Sequence, residues 1–194
     1  ESESQATATN FVVNNDGNVD NEGLDPVSSR NHGTMTLSTV AGHMPGQLVA
    51  PAYAASVVLG KTEDIAVEIV LEEDNWVAGL EWAEALGADI VSSSLGYLDW
   101  YVFDDLDGNT AITTIAADLA VARGVVVINS AGNERGTTGL LIAPADGDSV
   151  ITVGAVDNLN AVSWFSSPGP TFDGRIKPDV AALGVGNTVA DPSD

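Results

Sequence analysis

Three short, nearly all-apolar runs, at 89–94, 125–130 and 149–156, alternate with two helical patterns, at 72–88 and 109–123. That alternation narrows the fold more than any other feature of the chain. A strand that is apolar on both sides belongs in a parallel sheet covered by helices, and helix–strand alternation is the pattern that builds one. A further buried strand is expected at 54–60, where small and β-branched residues run together. In the first helix, Glu72, Glu73 and Asp74 crowd the N-terminal turn, where the helix dipole favours acids, and Gly87 stands where a C-terminal cap belongs. Trp76, Val77, Leu80, Ala83 and Leu86 recur at helical spacing and mark its core face. Gly124 closes the second helix and leads straight into the next strand. The expected architecture is α/β: a doubly wound, mostly parallel sheet with helices on both faces. In such sheets ligands bind beyond the carboxyl ends of the strands, so the residues just after each strand are the ones to inspect.

At 194 residues the chain is read as one domain, with a polar, turn-rich region at 1–31 and a core at 32–183. No apolar run approaches the ~18 residues of a membrane span, and no basic segment leads an apolar one at the start. The absence of cysteine removes disulfides, thiolate metal sites and cysteine nucleophiles together. Twenty-eight acids against six lysines and arginines give a net charge of −22. Such a surface repels phosphate backbones and anionic lipid, so neither nucleic acid nor membrane is expected as a partner. The acids are dispersed, which favours adaptation to high salt over a set of calcium sites. The expected consequence is a melting temperature that rises by roughly 10 °C from dilute buffer to about 2 M NaCl as screening relieves the repulsion. A flat salt response in a thermal melt removes the high-salt reading.

Several short segments carry potential chemistry. Asn31-His32-Gly33-Thr34 places an imidazole at the start of a helical pattern, beside a glycine that lets another chain approach. Ser130-Ala131-Gly132-Asn133-Glu134 follows a strand directly, and an asparagine on such a turn can aim its amide at a developing oxyanion. Ser92-Ser93-Ser94-Leu95-Gly96 also follows a strand and offers a backbone edge for pairing with an extended peptide. Each alone has a plain structural reading as a cap, a turn or a loop.

Taken in order, His-Gly-Thr, Ser-Leu-Gly, Ala-Gly-Asn-Glu, Val150-Ile151-Thr152-Val153-Gly154-Ala155-Val156-Asp157, Phe165-Ser166-Ser167-Pro168-Gly169-Pro170 and Lys177-Pro178-Asp179-Val180-Ala181-Ala182 resemble the catalytic domain of subtilisin-like serine proteases. The resemblance implies that His32 is the general base and that Asn133 donates to the tetrahedral oxyanion. It implies that Ser94, Leu95 and Gly96 pair with the substrate backbone. Ser130, Ala131 and Gly132 would wall the pocket for the residue preceding the scissile bond, and their small size suits a flat, roomy, apolar pocket. It also implies a polypeptide substrate and a secreted or cell-surface location.

Two of the family's motifs have no match in this chain. The aspartate that precedes the histidine at a strand end has no counterpart, and Asn14 to Asp25 reads as the variable loop that follows it. No Gly-Thr-Ser follows Lys177-Pro178-Asp179, and Ser166 and Ser167 lie in a different motif. The expectation is a truncated central piece of a protease, inactive by itself, whose uncovered apolar surface drives self-association. The alternative is a non-catalytic relative that keeps the groove for peptide binding. A third reading, an acidic calcium-dependent structural domain, predicts a thermal shift on calcium titration. His43, in Gly42-His43-Met44-Pro45-Gly46, reads as a surface residue.

No cofactor is expected. Asp104-Asp105-Leu106-Asp107-Gly108-Asn109 fails the EF-hand register from either start, because Thr110 falls at position six or Leu106 at position three. Calcium therefore stays unassigned, and Asp107 and Gly108 read as a turn leading into the next helix.

Overall fold

A computed structural model describes residues 6–12, 17, 19 and 30–192. These form two compact units, 1–75 with 188–194 and 76–187, and the division falls within a helix, after Asn75.

In the first unit, β1 (Ala6–Asn10) pairs in parallel with β4 (Val57–Lys61), from Ala6 opposite Val57 to Asn10 opposite Lys61. Helix α1 (Asn31–Ala41) lies between them in sequence and is followed by a short hairpin of β2 (His43–Met44) and β3 (Leu48–Val49). The helix ends where the Gly42 N–H donates to Ser38 O at 3.0 Å, and Gly46 turns the hairpin with φ +87°. The Ser38 hydroxyl, buried in α1, donates to Met35 O and accepts from the Ala190 N–H. Strand β1 was not expected, since the first thirty residues read as turns. The strand at 54–60 is shorter than expected and starts at Val57, after a turn.

Helix α2 (Leu71–Ala85) opens with the three acids of its first turn. Glu72 is buried, and its carboxylate accepts the Asp64 N–H at 2.9 Å and the Ile69 N–H at 3.2 Å, tying down the preceding loop. At its far end the Ala88 N–H reaches back to Ala83 O and the Gly87 N–H to Glu84 O, with Gly87 at φ +83°. These two bonds satisfy carbonyls that the helix leaves open, and the left-handed residue they require is best supplied by glycine. Helix α3 (Ile112–Ala122) ends the same way, with Val125 bonded to Ala120, Gly124 to Val121, and Gly124 at φ +101°. Both helices start or end a few residues inside the spans read from sequence, and Leu86 is exposed instead of facing the core.

The second unit holds a four-stranded, all-parallel sheet in the order β5 (Ile90–Ser93), β6 (Val126–Ser130), β7 (Ile151–Val156), β8 (Val180–Leu183). Strand β8 was also missed in sequence. Trp76 and Leu80 of α2 and Ala117 and Ala120 of α3 pack with Tyr97, Val125, Val127 and Val150 in the core. Register alternation fixes the two faces of the sheet. Val127, Asn129 and Thr152 are fully buried, whereas Ile90, Val126, Ile151 and Val180 are 40–61% exposed. The last four share one face through the pairs Ile90 with Val126, Ile128 with Ile151, and Val153 with Val180. The helices of this unit thus cover one face and leave the other apolar. This face is expected to drive self-association: light scattering at high protein concentration should report a mass above the monomer. A clean monomer refutes that expectation.

Candidate active site

The parallel order of β5, β6 and β7 brings their carboxyl ends to one edge, and two of the sequence-derived segments leave the sheet there. Ser94, Leu95 and Gly96 follow β5, and Ala131, Gly132 and Asn133 follow Ser130 at the end of β6. Asn129, buried in β6, joins them: its Nδ2 donates to Leu95 O at 3.2 Å and to Ser130 O at 2.9 Å. A third segment closes the group. Tyr97 and Ala143 exchange backbone hydrogen bonds at 2.9 and 3.0 Å, and the Ile142 N–H donates to Ala131 O at 3.3 Å. Neither Asn129 nor Ile142 was singled out from sequence. The position of Asn129 in an otherwise apolar strand was the one available signal.

The turn that presents Asn133 is braced from below. Gly132 adopts φ +104°, its carbonyl accepts the Ser167 N–H at 2.9 Å, and Ser167 Oγ accepts the Glu134 N–H at 2.9 Å. Arg135 Nε donates to Ser166 O at 2.8 Å, and Ser166 Oγ accepts the Ala155 N–H. Ser166 and Ser167 are both buried, so their hydroxyls serve as internal braces. Asn133 itself is exposed, on the turn just past the sheet. A cavity of about 250 Å³ lies behind this turn, lined by Arg135, Gly154, Ser166, Ser167, Lys177 and Pro178 among others, and Asn133 does not line it.

His32 belongs to the first unit. It is exposed in the first turn of α1, where its carbonyl accepts the Thr36 hydroxyl at 3.0 Å. His43 is exposed and stacks on Tyr53 with ring centroids 4.7 Å apart. Strand β1, upstream of His32, ends on Asn10, a buried amide whose Oδ1 accepts the Val12 N–H. That strand end offers no carboxylate. Most of the loop read at Asn14 to Asp25 lies outside the described residues.

Two ionic groups anchor the loops that lead into β7 and β8, at the amino ends of these strands. Lys177 is buried, with Nζ 2.6 Å from Val150 O and 2.7 Å from Asp179 Oδ2, which also accepts the Thr152 N–H at 2.7 Å. Burial pushes Asp179 up, but the Lys177 ammonium and the Thr152 N–H outweigh it and hold the carboxyl below its ordinary range. Asp173 is lowered to about 2 by the Arg175 guanidinium and the Thr171 hydroxyl. A depressed carboxyl stabilises the fold above its ordinary pKa, and that contribution is lost as pH falls through the lower, folded-state value. Stability should therefore fall below the ordinary aspartate pKa of 3.8. Asp179→Asn is expected to melt lower than the parent at neutral pH, with the gap narrowing at acid pH; a gap that stays constant in melts across that range refutes the assignment.

Asp107 and Gly108 form the expected turn, with Asp107 Oδ1 accepting the Asn109 N–H and Gly108 at φ +82°. Among the described residues, no three His, Asp or Glu side chains converge as a metal cage. No helix among them is long and apolar enough to cross a membrane.

Comparison with known proteins bears on this arrangement. The model of the subtilase family, Peptidase_S8, matches residues 3–193. Subtilisin from Bacillus pumilus is 36% identical over 150 residues, which cover 73% of this chain and 49% of that protein. Serine protease AprX from Bacillus subtilis (strain 168) is 31% identical over 186 residues, 85% of this chain and 40% of that protein. Among solved structures, the PatG macrocyclase in complex with peptide superposes with a TM-score of 0.65 at 18% identity, covering 84% of this chain and 44% of that one. The chain spans about half the length of the curated relatives it matches. With a parallel sheet, an asparagine turn past β6 and a family match over nearly its whole length, this chain belongs to the subtilase family.

Proposed function

We propose that the chain is the central part of a serine endopeptidase that cleaves polypeptides through an acyl-enzyme. His32 takes the proton of the nucleophilic serine and returns it to the leaving amine. The Asn133 side-chain amide donates to the oxyanion of the tetrahedral intermediate. Ser94, Leu95 and Gly96 pair with the substrate backbone as an added strand, beside a pocket walled by Ser130, Ala131 and Gly132. The observation that carries this reading is the exposed Asn133 on a braced turn past β6, in the same sheet edge as the Ser94–Gly96 segment. The buried, engaged hydroxyls of Ser166 and Ser167 and the amide at the end of β1 support a nucleophile and an aspartate supplied by other segments. A secreted or cell-surface location, which the family resemblance implies, stands as part of the same proposal.

The test is a casein assay on the 194-residue chain and on the chain joined to the segments that flank it in its gene. The expected result is no turnover by the chain alone and turnover by the longer protein. Turnover by the chain alone that survives purification and vanishes in His32→Ala overturns the absence of a nucleophile. A longer protein that binds peptides without cleaving them establishes the binding-module reading instead.

A further inference from the structure

One side chain ties together the two segments that leave β5 and β6. Asn129 is fully buried in β6, on the same face as Val127 and level with Thr152 of β7. Its Nδ2 carries two protons and reaches two backbone carbonyls, Leu95 O at 3.2 Å and Ser130 O at 2.9 Å. Both neighbours are acceptors, so only the nitrogen end of the amide can face them. At its other end, Asn129 Oδ1 is buried with no hydrogen-bond partner among the described residues. Packing alone favours a valine here, which would continue the apolar face begun by Val127 without burying an unpaired oxygen. The amide supplies what a valine lacks, a bridge between the two carbonyls. Leu95 is held from its other side as well: its N–H donates to Ser93 Oγ at 3.3 Å, and that oxygen also accepts the Trp76 Nε1–H at 3.1 Å. On the β6 side, the Ala131 N–H donates to Val153 O at 2.9 Å. With both ends anchored, the amide sets the distance between them.

We infer that Asn129 is a positioning residue for the peptidase reaction, fixing the spacing between the segment at 94–96, which pairs with the substrate backbone, and the turn that presents Asn133 to the oxyanion. This rests on the proposed function for what the two segments do, whereas the bridge itself does not. Asn129 acts through Asn133 and not on the substrate. An oxyanion donor gains strength in the transition state only when the scissile carbonyl arrives at the right distance, and a misplacement of about 1 Å costs on the order of 100-fold. Loss of the bridge therefore slows turnover and leaves peptide affinity nearly unchanged.

Two measurements separate the bridge from its catalytic consequence. The first is NMR on the 194-residue chain. The Asn129 side-chain amide protons should exchange with deuterium at least about 100-fold more slowly than those of the exposed Asn133. Asn129→Val should shift the backbone resonances of residues 95–96 and 131–133 together, while those of β8 stay in place. Equal exchange rates, or shifts confined to one of the two segments, overturn the inference. The second is steady-state kinetics on the chain joined to the segments that flank it in its gene. Asn129→Val should lower kcat on a peptide substrate by about 10- to 100-fold with KM changed less than about threefold, and Asn129→Ala serves if the valine form fails to fold. In an Asn133→Ala background the same substitution should cost no more than about threefold, because the donor it positions is gone. A kcat within about threefold of the parent, a loss carried by KM, or a full loss repeated in the Asn133→Ala background overturns the inference. If the bridge behaves as expected and the longer protein cleaves no peptide, the peptidase reading fails and the positioning role with it, while the bridge stands.

Discussion

On the proposed function, His32→Ala in the chain joined to the segments that flank it in its gene is expected to lower kcat/KM on a peptide substrate by at least about 10⁴. The size follows from the role. Without the imidazole the serine hydroxyl stays protonated and the leaving amine receives no proton, so both halves of the acyl-transfer cycle slow together. Asn133→Ala should cost less, about 10²–10³ and mainly in kcat, because it removes one donor that gains strength only as the oxyanion forms. The braced turn makes this interpretable: Gly132, Ser167 and Glu134 hold one another through backbone and hydroxyl bonds that do not involve the Asn133 side chain. The truncation therefore leaves the turn in place. Combining the two substitutions should give much less than the product of the separate losses, since groups acting on one step are not additive. Steady-state kinetics on the three variants checks this; a His32→Ala enzyme within tenfold of the parent refutes the base assignment.

The largest stability effect is expected at a residue with no part in that chemistry. Asp146 is fully buried, with its carboxylate accepting the Thr114 hydroxyl at 2.6 Å and the Gly108 N–H at 2.9 Å. Burial pushes its pKa up, and these two hydrogen bonds with the nearby Arg175 guanidinium offset only part of that rise. The same guanidinium pairs with Asp148 at 2.9 Å and with Asp173 at 2.7 Å. Asp146 thus ties together the turn before α3, α3 itself and the loop before β7. Asp146→Ala strands a buried hydroxyl and a buried N–H, at a cost of about 3 kcal/mol, or roughly 10 °C in melting temperature. Asp148→Ala should shift it by no more than a few degrees, because that carboxylate is 58% exposed and its ion pair is largely solvated. Thermal melts of the two variants decide the matter, and equal shifts would refute the distinction.

What could be read from sequence was set by local periodicity. The helices at 71–85 and 112–122 announced themselves through spacing, acids at one N-terminus and glycines past both ends. Strands β5, β6 and β7 showed as apolar runs, and their order placed Asn133 and the Ser94–Gly96 segment correctly just beyond strand ends. Strand β1 was hidden because Ala6, Thr7, Ala8, Thr9 and Asn10 include no large aliphatic residue, and its partner β4 is remote in sequence. Strand β8 is only four residues long. The burial of Asp146 was not readable, because an acid in a turn-rich loop looks like surface charge. It depends on contacts between segments far apart along the chain.

The pairing of β1 with β4 has a consequence for how the molecule breathes. A ladder of two parallel strands has no interior strand, so a single opening event exposes every one of its amide protons. Deuterium should enter the backbone at 57–61 through such local openings. In β6 and β7, which are flanked on both sides, the amides of Ile128 and Val153 should exchange only when the second unit unfolds as a whole.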